Sequence, residues 1–139
     1  MTPLERRHKA IEATLAKYRD RPFAWGSVDC AKVAAFHLRK LGWKLALSKA
    51  GSYSSAMGAA KALKRLGYDT LADLATGVGL PEIAPARMLL GDLAEIEGDS
   101  PIGTVALYAG NGNLFAFHED HPGLVTFAPN TILRAWSVL

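Results

Sequence analysis

The sequence predicts an α+β fold in which amino-terminal helices pack on a small antiparallel β-sheet. Two observations carry this prediction. Apolar residues spaced three and four positions apart, as in amphipathic helices, dominate the first half of the chain. Short segments rich in apolar and β-branched residues, separated by turn sequences, dominate the second half. Because the helices precede the strands instead of alternating with them, the order indicates α+β rather than α/β.

Length and composition are those of one domain, which we expect to span residues 1–139. A chain of 139 residues falls within the common size range of single domains. The net charge is +3, and the basic residues are interspersed with acidic ones without forming a dense basic block. A nucleic-acid partner is therefore not predicted.

The chain contains a single cysteine, so the fold cannot depend on an intramolecular disulfide. The amino-terminal segment has no continuous apolar stretch of signal-peptide length, and no stretch is long enough to span a membrane. We expect synthesis in the cytoplasm, without a signal peptide and without membrane insertion.

The first element is a predicted helix that begins at Pro3, with Thr2 as its N-cap, and ends before the sequence "DRPF". One face repeats at helical spacing and is expected to pack on the core. That face comprises Leu4, His8, Ile11, Leu15 and Tyr18.

Three more helices are predicted before the strands begin. Residues 29–41 have apolar positions at helical spacing and end at Gly42. Residues 54–66 are rich in alanine and end at Gly67, and a short helix is expected at 71–75.

The second half reads as a β-meander followed by a final helix. Four strands are predicted, at residues 93–97, 104–109, 113–118 and 124–127. Gly-Asn-Gly at 110–112 and His-Pro-Gly at 121–123 supply the turns. A short helix at 131–136 is expected to close the chain.

Cys30 falls in the first turn of the second predicted helix. Unpaired backbone N–H groups and the helix dipole stabilise a thiolate at that position, which makes Cys30 a candidate nucleophile. The alternative is an ordinary packed thiol, since free cysteine is among the residues most often buried. Asp29, immediately before it, is the candidate N-cap and support of the helix.

The segment "PFAWGSVDCAKVAAFHLRKLG" resembles the nucleophile segment of NlpC/P60 cysteine peptidases, papain-like enzymes of bacterial cell-wall turnover. The later "GDLAEIEG" and "TVALYAGNGNLFAF" are similar to strands of that family, in the same order. The resemblance covers roughly residues 20–120. It implies a papain-like NlpC/P60 fold with Cys30 at the start of the central helix.

The same resemblance implies that the catalytic set is incomplete. The family's histidine opens a strand of the pattern His-Val-Gly-Ile-Tyr, and "TVALY" places Thr104 at that base position. The third polar residue falls on Ala116. Threonine has no useful basicity at neutral pH, and alanine has no hydrogen-bonding side chain, so neither can serve.

His118 is the candidate replacement base, because it lies two residues beyond Ala116 and on the same face of a regular strand. His37 is two helical turns from Cys30, about 10 Å by axial rise, which is too far for direct proton transfer. We interpret His8 and His37 as satisfied helix residues and His121 as a turn residue.

No pattern in the sequence predicts a metal or cofactor. There is no Cys-x-x-Cys or His-x-x-x-His pair, and "HEDH" at 118–121 is only a loose cluster. There is also no phosphate-binding Gly-x-x-x-x-Gly-Lys loop.

Among NlpC/P60-like proteins, the chain most resembles short members encoded among the tail genes of long-tailed phages and prophages. This implies a tail-tip assembly protein with a degenerate peptidase site, assembled in the host cytoplasm, carried in the virion and bound to other tail-tip proteins. The alternative is an active peptidoglycan endopeptidase in which Cys30 attacks the stem peptide and His118 is the base. A third hypothesis is a host-factor or cell-wall binding module, which predicts an open cleft beside Cys30 lined by aromatic residues.

Overall fold

The structure is a computed structural model that describes residues 1–117 and 121–139. Its helices and strands follow the α+β order along the chain. The helices are α1 (Pro3–Tyr18), α2 (Cys30–Lys40), α3 (Ala56–Arg65) and α4 (Leu71–Gly77). The strands are β1 (Glu82–Ile83), β2 (Leu93–Ile96), β3 (Thr104–Gly110), β4 (Asn113–Phe117), β5 (Leu124–Phe127) and β6 (Ile132–Trp136).

Side-chain caps begin all four helices. Thr2 accepts a hydrogen bond from the N–H of Glu5, and Pro3 follows it. Ser55 and Thr70 cap α3 and α4 in the same way, through the N–H groups three residues on. Each cap satisfies one of the backbone donors that a helix start leaves unpaired, which fixes where the helix begins.

The buried face of α1 was predicted correctly at three of its five positions, Ile11, Leu15 and Tyr18. Leu4 is 62% exposed and the side chain of His8 is 63% exposed, so these two positions face solvent. Arg7 and Thr14 are buried instead. The prediction was wrong at Leu4 and His8 because it rested on residue spacing alone, whereas this face buries two polar side chains that have partners across the core.

The strands described form one six-stranded sheet in the order β1-β6-β2-β3-β4-β5, and every pairing is antiparallel. The predicted helix at 131–136 is wrong, because this segment forms β6 between β1 and β2. Ala135 and Trp136 are both fully buried. A strand covered on both faces lacks the alternation of apolar and polar residues by which strands are recognised in a sequence. Pairing with β2 outweighs the intrinsic secondary-structure preference of the segment.

The helices cover one face of the sheet. Val105 and Leu107 of β3 belong to the larger core, together with Val33 and Leu38 of α2. The intervening Ala106 belongs to a second apolar cluster on the other face, with Ala94 and Leu114. The sheet therefore has two apolar faces, and α2 packs on the one formed by the odd-numbered residues of β3.

A buried ion pair joins α1 to the loop before β2. Arg7 donates to Asp92 at 2.7 Å, and the two side chains are 4% and 1% exposed. Asp92 also accepts from the N–H groups of Leu89 and Val138. Arg7 donates further to the carbonyl of Leu90. This network holds the carboxyl-terminal segment against α1.

No helix in the described ranges is both long and apolar enough to cross a membrane.

Candidate functional site

The segment that leads into α2 is a tight turn built around Gly26. Ala24 and Val28 form an isolated antiparallel bridge across it. Gly26 has a φ of 87°, in the left-handed region that glycine adopts without strain. A Cβ there would lie 1.8 Å from the backbone oxygen of Tyr53. The Trp-Gly sequence before the cysteine therefore needs a glycine both for its backbone angle and for the close approach of another chain segment.

Asp29 is the N-cap of α2 and the centre of a buried hydrogen-bond cluster. Its Oδ1 accepts from the N–H of Lys32 at 2.9 Å. Its Oδ2 accepts from the N–H of Gly26 at 2.9 Å and from the hydroxyl of Tyr53 at 2.7 Å. The residue is 1% exposed. Asp29 thus fixes the turn, the helix start and the segment around Tyr53 relative to one another.

Tyr53 is the member of this cluster that sequence reasoning missed. Burial raises the pKa of its hydroxyl well above the usual range, and the hydrogen bond to Asp29 raises it further. The hydroxyl therefore stays protonated and acts as a donor. No local pattern pointed to Tyr53, because it lies in a loop 24 residues from its partner.

Cys30 begins α2, but its thiol lies in apolar surroundings. Although the residue as a whole is half-buried, its side chain lines a cavity of about 10 Å³, which is at the lower limit for one water molecule. The other lining residues are Val33, Ala34, Val105, Ala106, Leu107, Phe115, Ala116, Phe117 and Leu124.

Burial raises the pKa of the Cys30 thiol to about 11. Hydrogen bonding to the backbone of Val105 and Ala31 lowers it by less, and the neighbouring Asp29 carboxylate raises it further. The stabilisation that a helix start offers a thiolate is thus outweighed by desolvation. At neutral pH the group is a neutral thiol.

Thr104 and Cys30 do not share a cavity. Thr104 pairs with Ile96, whose side chain belongs to the cluster on the face away from α2. A Cβ on Gly98 would lie 2.4 Å from Thr104 Oγ1, so the threonine hydroxyl packs over that glycine. Thr104 also lines a separate cavity of about 460 Å³ with Glu97 and Asp99.

Ala116 lines the small cavity beside Cys30 and is 3% exposed. Its methyl group offers the thiol no hydrogen bond. The open aromatic cleft that a binding module at Cys30 would need is also missing from the described residues, because the cavity that Phe115 and Phe117 line beside Cys30 measures only about 10 Å³.

The histidines of the described residues are engaged elsewhere or exposed. His37 is fully buried, and its Nε2 donates to the carbonyl of Gly91 at 2.8 Å. His8 pairs with Glu12 on the surface of α1, and His121 is exposed. The interpretation of His8 as core-facing is wrong, because its position on α1 faces solvent. His118, the candidate base, lies outside the described residues.

Burial lowers the pKa of His37, and the positive charge of Arg7 acts in the same direction. The carbonyl of Gly91 and the carboxylate of Asp92 oppose this shift without reversing it. His37 is therefore a neutral, structural imidazole that ties α2 to the loop before β2.

Residues 1–117 and 121–139 contain no group of three or more His, Cys, Asp or Glu side chains that could hold a metal ion.

Three solved structures of mycobacterial proteins are similar to the chain. RipD from Mycobacterium tuberculosis, described as a non-catalytic NlpC/p60 domain protein with an adaptation to peptidoglycan-binding function, matches with a TM-score of 0.52 and 15% identity, over 96% of this chain and 98% of RipD. The P60 domain of the antigen MAP1272c from M. avium paratuberculosis matches with a TM-score of 0.53 and 15% identity, over 95% and 94% of the two chains. The peptidoglycan hydrolase RipB from M. tuberculosis matches with a TM-score of 0.51 and 16% identity, over 99% of this chain and 69% of RipB.

At these identities the likeness shows the fold alone. It confirms the predicted α+β architecture as that of NlpC/P60 domains. A family model described as "Domain of unknown function (DUF6950)" matches residues 2–138. No curated protein matches the chain by sequence.

Proposed function

The chain belongs to the family described as Domain of unknown function (DUF6950), and we propose that it is a catalytically inactive NlpC/P60-like domain that acts as a structural component of a phage or prophage tail tip. It works through contacts with other tail-tip proteins. The observation that carries the inactive assignment is the state of Cys30, a neutral thiol with a pKa of about 11 in an apolar cavity too small for substrate.

Three features together support the loss of catalysis. The thiol lacks the activation that a cysteine nucleophile needs, since the thiolate is the reacting species. Thr104 and Ala116, at the family's base and third-residue positions, supply no imidazole or carboxylate. The histidine rings of the described residues are bonded elsewhere or exposed. RipD shows that an NlpC/p60 domain can be non-catalytic and serve in binding instead.

The tail-tip role rests on the sequence resemblance to short NlpC/P60-like proteins of phage tails. Such a role needs protein-contact surfaces and no nucleophile, which agrees with an intact fold around a desolvated cysteine. Location in the virion, after assembly in the host cytoplasm, is part of the proposal. The proposal includes peptidoglycan as a further partner, by analogy with the binding function described for RipD.

The second candidate function is a peptidoglycan endopeptidase. The observation in its favour is the position of Cys30 at the start of α2, where the capped turn holds it as a nucleophile would be held. In this reading Cys30 attacks the amide carbonyl of a stem peptide, and His118 takes the thiol proton. The amine would leave with a proton from the imidazolium, and water would release the acyl group.

Alkylation of Cys30 across pH distinguishes the two functions. We expect iodoacetamide to react slowly at pH 6–8 and to accelerate only as the pH approaches 11, with the same profile in a His118→Ala variant. Cys30→Ala gives the background, because it removes the chain's only thiol. Rapid alkylation at pH 6 that slows in His118→Ala would overturn the inactive assignment and favour the peptidase.

The tail-tip role needs a separate experiment. Phage particles induced from the source strain and purified by density gradient should contain the protein at a few copies per tail. Tail preparations from a deletion strain should lack complete tails, and a Cys30→Ala copy should restore them. Normal particles from the deletion strain, or absence of the protein from purified virions, would contradict the tail assignment.

A further inference from the structure

A large cavity lies on the opposite side of α2 from the Cys30 thiol. It measures about 610 Å³, within the range of roughly 300–1,000 Å³ typical of small-molecule sites. Helices α2, α3 and α4 and the loop at residues 45–53 surround it. The cavity beside Cys30 shares no lining residue with it, so this site is separate from the family's nucleophile position.

A second, smaller cavity of about 70 Å³ continues the first one into the core. Only Ala, Leu and Val side chains line it. The residues common to both cavities are Ala31, Ala35, Leu45, Leu47, Leu71 and Leu74. The combined space is therefore wide at the surface and narrow and apolar at its inner end.

The outer part of the cavity carries positive charge. Lys32 and Arg39 line it, and they lie two turns apart along α2, so the charges flank about 10 Å of its length. No Asp or Glu lines the cavity. Within the described ranges, neither cation has an ion-pair partner: Lys32 Nζ lies over the Tyr53 ring, and Arg39 makes one long hydrogen bond to the carbonyl of Leu45.

We propose that this cavity binds a free long-chain aliphatic carboxylate, with the alkyl chain along the apolar wall that the two cavities share and the carboxylate at the rim that carries Lys32 and Arg39. In an apolar cavity that is open to water, the apolar wall contacts water. Covering this wall with an alkyl chain lowers the free energy. Because the rim carries two cations and no acidic residue lines the cavity, the charge favours an anionic head group, which either Lys32 or Arg39 can pair with.

A peptide segment fits the same cavity less well. Each peptide unit brings an N–H and a C=O that need hydrogen-bond partners once they leave water. The wall that the two cavities share consists of Ala and Leu side chains only, whereas an alkyl chain needs no polar partner. This difference selects a fatty-acid-like ligand over an extended peptide.

Calorimetric titration with dodecanoate, below its micelle-forming concentration, tests the proposal on the full chain. We expect one molecule per chain, no measurable binding of butyrate, and at least about tenfold weaker binding of dodecanol, which lacks the charge. A Lys32→Gln/Arg39→Gln variant should also lose about tenfold in affinity for dodecanoate. Lys40→Gln, which removes one positive charge from the same helix outside the cavity, should leave the affinity unchanged.

A Leu47→Trp variant places a larger side chain in the wall that both cavities share and should abolish binding of dodecanoate. Because both head-group positions are on the helix surface, the Lys32→Gln/Arg39→Gln variant keeps the test valid even where Leu47→Trp does not fold. Absence of saturable binding, equal affinity for dodecanol, or no loss in the double variant would overturn the proposal. So would tighter binding of lysophosphatidylglycerol or of an apolar peptide than of dodecanoate.

Discussion

The hydroxyl of Tyr53 donates a 2.7 Å hydrogen bond to Asp29 Oδ2 across 24 residues of sequence. This contact ties the loop before α3 to the residue that caps α2. It also brings the backbone oxygen of Tyr53 against Gly26. The start of the central helix is thus held from two sides, by its own turn and by a distant loop.

Tyr53→Phe should lower the free energy of unfolding by about 1.5–3 kcal/mol, the usual contribution of a hydrogen bond to a charged group. The reason is that Asp29 is nearly fully buried and water cannot replace the lost donor. Urea unfolding followed by circular dichroism measures the change. Tyr108→Phe is the matched control, because the Tyr108 hydroxyl accepts one exposed hydrogen bond, from the N–H of Gly112. Equal effects in the two variants would contradict a special role for the Asp29 contact.

Gly26→Ala should destabilise the protein much more than Gly67→Ala. Both glycines have a positive φ, 87° and 94°, so both substitutions carry a similar backbone strain of about 1–2 kcal/mol. Only Gly26 has a close neighbour, the Tyr53 oxygen 1.8 Å from the new Cβ, whereas nothing lies within 4 Å at Gly67. Thermal unfolding of the two variants gives the comparison. A melting temperature for Gly26→Ala as high as that for Gly67→Ala would mean that the Tyr53 loop moves freely.

The start of α2 was predictable from the sequence, whereas its support was not. Asp29 at the N-cap and Cys30 in the first turn follow from local rules of helix capping, which need only neighbouring residues. The contact with Tyr53 depends on how two loops meet in space, and no spacing rule encodes that. The same holds for the cavity on the far side of α2, which three helices and a loop form together.

The errors in α1 and β6 have one physical origin. Helical spacing alone identified the face of α1, so Leu4 and His8 were assigned to the core. Arg7 is buried because Asp92 compensates its charge, and that partner is 85 residues away. In β6, Trp136 is buried because β2 and helix α4 surround it, with the indole N–H donating to Thr76. In both cases, contacts with residues far away in the sequence determine which side chains are buried.

Arg7→Met should cost about 3–5 kcal/mol of unfolding free energy, because it leaves the buried Asp92 carboxylate without its counter-charge. Methionine keeps most of the apolar stem, so lost packing contributes little. Arg134→Met is the matched control. Arg134 donates two hydrogen bonds to the carboxylate of Glu82, but both of these side chains are exposed to solvent. Denaturant unfolding should show a far smaller change for Arg134→Met. Similar losses in both variants would show that burial does not set the strength of the Arg7 pair.

The pH dependence of stability should contain a contribution from His37. Burial lowers its pKa in the folded chain, while in the unfolded chain the pKa returns to about 6.5. Below pH 6.5 the unfolded state therefore binds a proton that the folded state does not, and the free energy of unfolding falls by up to about 1.4 kcal/mol per pH unit toward the folded pKa. His37→Gln keeps an N–H donor for the Gly91 carbonyl and removes the titration, so its stability should change less between pH 7.5 and 5.5. Urea unfolding at each pH measures the difference between the two proteins. Parallel pH profiles would mean that His37 takes up its proton as readily in the folded state as in the unfolded one.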